Sequence, residues 1–171
     1  METKLEFVLP NERHRADVLE FYDEFRAQNE TCIGYGGYEN FDTWLTGMRN
    51  RHTGTNLPEG YVPENFYLCY TDGALVGVLN LKFTLTEYLL HYGGHIGYAV
   101  RPSRRRQGLA TRMLGQSLDI ARTLEMTRLL CVCDADNLPS ERTILRNGGV
   151  LEDIRFDPEE RVEVKRYWIP L

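Results

Sequence analysis

Arg105-Arg106-Gln107-Gly108-Leu109-Ala110 stands where a strand hands over to a helix, and its reading decides the fold. Upstream, Gly94-His95-Ile96-Gly97-Tyr98-Ala99-Val100 alternates as a strand does and stops before Pro102. Downstream, Leu109, Met113, Leu114, Leu118, Ala121 and Leu124 recur at helical spacing, which predicts one long helix over 105–125. A basic, glycine-containing turn that opens a helix suits a phosphate. The N–H groups of the first turn lack partners inside the helix, and the macrodipole adds partial positive charge there. Gly108 lets the backbone approach closely, and Arg105 and Arg106 add charge-assisted donors. Arg101, Arg104 and Arg112 lie close by; a bare run of arginines would read as a solvated face, but Gly108 in this setting favours phosphate.

Outward from this stretch, the chain divides into short elements with clear punctuation. A first strand is expected over 4–9, closed by Pro10, and a helix over 11–29 with Ala16, Leu19, Phe21, Tyr22 and Phe25 on its apolar side. Tyr35-Gly36-Gly37-Tyr38 breaks the chain before a shorter helix over 41–48, and 49–63 reads as a polar surface loop. Strands over 66–70 and 75–83 meet at Asp72-Gly73, a tight-hairpin signal. The run 128–133 is almost wholly apolar, as expected of a central strand covered on both faces. A short helix over 139–146 ends at Asn147-Gly148-Gly149, and strands over 150–156 and 161–169 close the chain as a hairpin around Asp157-Pro158.

Composition bounds the function. With 171 residues, 42% hydrophobic and 26% charged, the chain suits a single domain, residues 1–171, with a core of its own. A net charge of −5 speaks against a general nucleic-acid binder. No apolar run approaches the roughly 18–20 residues of a membrane span, and Met1-Glu2-Thr3-Lys4 lacks the apolar core of a signal peptide. Cys32, Cys69, Cys131 and Cys133 have no metal-type spacing, and Cys131 and Cys133 sit in an apolar run as reduced core residues. A cytoplasmic protein without a metal is the expectation.

The pattern [RQ]-x-x-G-x-[GA] at Arg105–Ala110, between a strand and a long helix, resembles the acyl-CoA pyrophosphate loop of the GNAT superfamily of N-acetyltransferases. The element order β-α-α-β-β-β-α-β-α-β-β matches that family over essentially the whole chain. The resemblance implies an α/β (by some schemes α+β) GNAT fold, a mixed, twisted sheet of about seven strands with helices on both faces. It also implies acetyl-CoA as co-substrate. By family analogy, the strand before the loop splays from the next parallel strand, and pantetheine bonds the exposed backbone of Tyr98, Ala99 and Val100. The diphosphate is expected on Arg105, Arg106, Gln107, Gly108, Leu109, Ala110 and Thr111. Asn137 and Ser140 match positions where relatives contact pantetheine, although Asn137 also suits a helix N-cap.

The resemblance departs from the family at Ile144, where a general-acid tyrosine commonly falls; Ile cannot donate a proton. Water, Tyr98 or another tyrosine would then protonate the leaving thiolate, which leaves moderately well because its pKa is about 8.5. His95 is the first candidate for the base that takes the amine's proton, with Glu87 and His91 on the approach to the same strand. A structural histidine packed beside Gly94 and Gly97 is the competing reading. For the acceptor amine, Glu30 with Tyr35 and Tyr38 is the candidate pocket, against the alternative of a mobile loop with solvated acids. Direct transfer to a primary amine is the leading function, with a catalytically silent acyl-CoA-binding or sensing module as the alternative. Neither a nucleic acid nor a membrane is an expected partner, and a homodimer through the closing hairpin is possible by analogy.

Overall fold

The structure, a computed structural model, describes residues 5–171; Met1–Lys4, which include the start of the expected first strand, lie outside the described residues. Strands β1 (Glu6–Val8), β2 (Glu64–Thr71), β3 (Ala74–Lys82), β4 (Ile96–Val100), β5 (Arg128–Asp134), β6 (Val150–Asp157) and β7 (Val162–Pro170) form one sheet. Its order is β1-β2-β3-β4-β5-β7-β6, and all pairs are antiparallel except β4 with β5. The Asp72-Gly73 hairpin forms as read, with φ of 51° and 73°, the left-handed pair that a two-residue turn with the strands' own twist requires.

Four helices cover the two faces. α1 (Arg15–Ala27) and α2 (Phe41–Thr53) bury Phe21, Tyr22, Phe25, Phe41 and Trp44 against Phe66, Leu68 and Val78 of the sheet. On the other face, α3 (Leu109–Thr123) and α4 (Leu138–Arg146) bury Met113, Leu114 and Ile144 against Leu79, Ile96, Cys131 and Tyr167. Strand alternation explains the split: in β2, Phe66 and Leu68 face α1 and α2, while Tyr67 and Cys69 face α3.

The largest departures from the sequence reading lie at the helix ends. α1 is preceded by a short 3-10 turn, Glu12–His14, capped by Asn11. α2 runs five residues past Met48, because Arg49–Thr53 continue the backbone ladder until Gly54 adopts φ 73° and ends it; only 54–63 is loop. α3 begins at Leu109 rather than 105, since Arg106 and Gly108 have φ of 63° and 74° and cannot be helical. Leu124 then falls beyond the helix and is 42% exposed. A π-helical turn, Leu89–Gly93, was not legible; its Gly94 N–H reaches back five residues to the Leu89 carbonyl at 2.6 Å. Among the described residues, no helix is long and apolar enough to cross a membrane, and no three His, Cys, Asp or Glu are grouped to hold a metal.

Candidate functional site

The parallel pair β4–β5 touches at one end only. Its single register pair is Ile96 with Cys131, whereas β3 and β4 pair over five residues. His95 rivets the closed end: its N–H donates to the Leu130 carbonyl at 2.9 Å and its Nδ1 accepts the Leu130 N–H at 2.9 Å. Gly94 sits so close there that a Cβ would lie 2.7 Å from the Leu130 oxygen, so only glycine allows the contact. Beyond Ile96 the strands part. The bonds Lys82 N–H to His95 O and Arg101 N–H to Val76 O set the antiparallel alternation, by which Ala99 faces β3 while Tyr98 and Val100 turn their backbone groups into the gap. Tyr98 and Val100 thus present backbone groups to the gap, and Ala99 does not.

At the mouth of the gap lies the arginine–glycine turn. α1 follows a 3-10 turn capped by Asn11, and Asn40 and Asn137 cap α2 and α4, but α3 has no side-chain cap. Its first internal bond runs from Arg112 N–H to Gly108 O at 3.1 Å, so the N–H groups of Leu109, Ala110 and Thr111 have no partner within the helix. Arg104, Arg105, Arg106, Gln107 and Gly108 are exposed, and a Cβ on Gly108 would meet no protein atom within 4 Å. The turn is thus an open cradle of donors. The Arg105 N–H is the exception, engaged by the Pro102 carbonyl at 3.3 Å.

The arginines are not equivalent. Arg101 is held by Glu20 and Glu24 of α1, and Glu24 also accepts the Ser103 N–H; Arg101 braces the turn from beneath. Arg105 forms a two-pronged ion pair with Glu30 and covers the Phe25 ring. The hydrogen bonds from Arg105 hold the Glu30 carboxyl below the usual range. The expected acceptor-pocket role of Glu30 is displaced by this pairing, which no local sequence signal foretells. Arg104 and Arg106 make no side-chain bond among the described residues.

Tyr98 projects from β4 to the α4 side, where its Oη lies 2.8 Å from Ser140 Oγ. Burial pushes its phenol well above the usual range, so it stays protonated at neutral pH. Ile144, one turn along α4, is 1% exposed in the core. Asn137 caps α4 through the Ser140 N–H at 3.2 Å, the role open to it from the start. Burial raises the thiols of Cys32 and Cys133 to about 12 and about 11, and raises Cys69 and Cys131 further.

On the opposite face, the α1–α2 loop, α2 and the π-helical turn enclose a cavity of about 550 Å³. Tyr35 lines it; Tyr38 does not, being fully buried with its hydroxyl on Asp23 at 2.6 Å. Glu87 is exposed and lies outside the lining. His95 is also outside it, and burial, then Lys82 and Arg128, pull its pKa down to about 4. With Nδ1 engaged by an amide, it is a neutral structural ring, the competing reading of its sequence setting. Sequence reasoning missed the cavity's polar floor. Glu64, 2% exposed, accepts from Arg51 at 2.9 Å and from Asn80 Nδ2 at 2.8 Å. Asn80 Oδ1 in turn accepts the Gly97 N–H of β4 at 2.7 Å, and Asn80 with Ile33 fills the space a Gly97 side chain would need. The cavity is thereby bonded directly to the strand beside the gap. The available signal was an Asn within the apolar run 75–83 and a Glu where the preceding strand opens.

The profile of the acetyltransferase (GNAT) family matches residues 18–149 of the chain. Among solved structures, the chain is similar to a Salmonella typhimurium acetyltransferase that modifies the N-terminal serine of ribosomal protein L7/L12. Identity is 23%, coverage 100% of this chain and 96% of that one, and the TM-score 0.73. A RimL L7/L12 α-N-protein acetyltransferase in complex with coenzyme A gives 21% identity, the same coverage and a TM-score of 0.76. The microcin C7 self-immunity acetyltransferase MccE, in complex with acetyl-CoA and AMP, gives 13%, 98% and 93% coverage, and 0.74. No curated protein sequence matches the chain.

Proposed function

Since the chain belongs to the GNAT acetyltransferase family, we propose that it moves an acetyl group from acetyl-CoA directly to a primary amine. The observation that carries this reading is the opening of β4 from β5 with an uncapped helix N-terminus at its mouth. Pantetheine would complete the strand by bonding the backbone of Tyr98 and Val100, and the diphosphate would take the amides from Arg106 through Thr111. Arg106 is placed to add charge at once, whereas Arg105 must first leave Glu30. The cavity on the far side of Gly97 would receive the amine.

The chemistry needs a neutral amine, alignment with the thioester and a proton for the leaving sulfur. Tyr98 is the donor best placed, its hydroxyl reaching Ser140 from the strand where relatives would send a tyrosine from the helix. His95 is a weak base at neutrality, so the amine's proton leaves through water or a cavity side chain. All four thiols are held protonated, which favours direct transfer over an acyl-cysteine.

Ile144 and the neutral His95 give the silent acyl-CoA-binding module its support. Titration with acetyl-CoA followed by melting, then release of free CoA in the presence of amines, separates the two. Saturation at about 100 times Kd stabilises by roughly 2.7 kcal/mol. Binding with amine-dependent CoA release supports the enzyme; binding without turnover supports the module; no shift at millimolar acetyl-CoA refutes both. A cytoplasmic setting, and a homodimer formed where Ile154 and Phe156 stand exposed on β6, complete the proposal.

A further inference from the structure

The charge inside the cavity runs against the charge of the chain. The protein carries a net −5, yet the only charged side chains in the lining are Arg51, Lys82 and Glu64, two cations and one carboxylate. Glu64 is already occupied: Arg51 and Asn80 hold its two oxygens at 2.9 and 2.8 Å. Lys82 reaches it only loosely, at 3.8 Å, and makes no other bond among the described residues. Its side chain is 16% exposed, so an ammonium with three donors faces the cavity with one long contact. Burial, reinforced by Arg51, lowers its pKa against the opposing pull of Glu64. A buried cation left this short of acceptors calls for an anion from the ligand.

We propose that the acceptor is a primary amine whose own molecule carries a carboxylate, seated on Lys82 beside Arg51. This rests on the transferase reading and narrows its acceptor. The arrangement serves the binding: Arg51, Lys82 and Glu64 leave one net positive charge in the lining, which the acceptor's carboxylate neutralises, while its ammonium gives up its proton to water before attack. The neutral nitrogen is the form that attacks: it bonds to the thioester carbon, the C–S bond breaks, the sulfur takes a proton and the nitrogen releases one. Asn80 ties the cation seat to the Gly97 amide, so the carboxylate end of the acceptor is registered against the strand beside the gap. Tyr35, Tyr61 and Tyr88 wall a volume of about 550 Å³, enough for an amino acid or the first residues of a peptide.

The same chemistry is offered by a free amino acid and by a peptide beginning with Asp or Glu, and matched pairs separate them. CoA release is measured at saturating acetyl-CoA with phenylalanine against phenylalaninamide, and aspartate against asparaginamide. The peptide arm compares Asp-Ala-Ala-amide with Asn-Ala-Ala-amide, and spermidine serves as a carboxylate-free control. The proposal expects kcat/KM about 10-fold or more above the neutral partner in at least one arm, the value of a charge-assisted bond. Lys82→Met should shrink that ratio below about 3-fold and Lys82→Arg should keep it, a rescue that mere loss of packing would not show. Equal or better turnover of the neutral amines or spermidine overturns the proposal and leaves the transferase standing. No turnover in any arm also overturns it, and acetyl-CoA binding measured on the same protein then shows whether a CoA-binding protein remains.

Discussion

Gly108 allows the phosphate-loop proposal to be tested apart from the fold. Its φ is 74°, and an added Cβ would meet nothing within 4 Å. Gly108→Ala therefore introduces left-handed strain and no clash. That strain is about 1–2 kcal/mol, which for a chain of this size lowers the melting temperature by roughly 2–8 °C. Gly73 is the matched control, with φ 73° and open space around its Cβ, in the β2–β3 hairpin. Gly73→Ala should cost the same stability. The two variants should part in acetyl-CoA affinity. A methyl group at Gly108 stands among the amides that the diphosphate would use, and loss of one hydrogen bond to a charged oxygen costs about 1.5–3 kcal/mol. Isothermal titration should show acetyl-CoA binding roughly 10- to 150-fold weaker to Gly108→Ala than to Gly73→Ala. Equal affinity for the two variants, each melting a few degrees low, would refute the placement of the diphosphate.

His95 makes stability depend on pH. Its folded pKa of about 4 lies below the ordinary value of 6.5, so its contribution is complete above pH 6.5 and is lost as the unfolded ring gains a proton on acidification. Between pH 7.5 and pH 5 the loss is about 2 kcal/mol, read by urea unfolding, and His95→Gln should abolish that part of the slope. Glu30→Gln frees Arg105 from an exposed ion pair worth about 0.2–1 kcal/mol, so acetyl-CoA should bind up to about 5-fold tighter; weaker binding would show that Glu30 supports the loop. Tyr98→Phe should lower kcat about 10-fold while leaving acetyl-CoA affinity within about 2-fold; this is less than a general acid's usual roughly 100-fold, because a thiolate leaves unaided more easily than an alkoxide. Intact-mass measurement after acetyl-CoA alone should find no acetylated cysteine; a stoichiometric adduct of about 42 Da, one acetyl group, would restore the covalent route.

Local signals carried the sequence reading wherever one residue's conformation or one periodicity was enough. Arg105–Ala110 declared a helix N-terminus because glycine and arginine there have few other uses, and Asp72-Gly73 declared a hairpin because both positions need positive φ. Alternation and helical spacing placed all seven strands and four helices, and the resemblance implied a mixed sheet with helices on both faces; the order of the strands across the sheet came from the structure. Ends were missed where tertiary contact overrode composition, as with α2 running to Thr53 through a polar segment.

The partners of charged and polar side chains were decided by the tertiary structure. Glu30 looked like a solvated acid or an acceptor anchor, and the fold brought Arg105 to it from 75 positions away in the chain. His95 offered the right titration range, and the amide of Leu130 with burial took that range away. Glu64, Asn80, Arg51 and Lys82 lie on α2, β2 and β3, with no spacing that marks them as a group. Backbone conformation is set within a few residues and can be read along the chain. The charge and hydrogen bonding of a site are sums over neighbours in space, and they exist only once the sheet has closed.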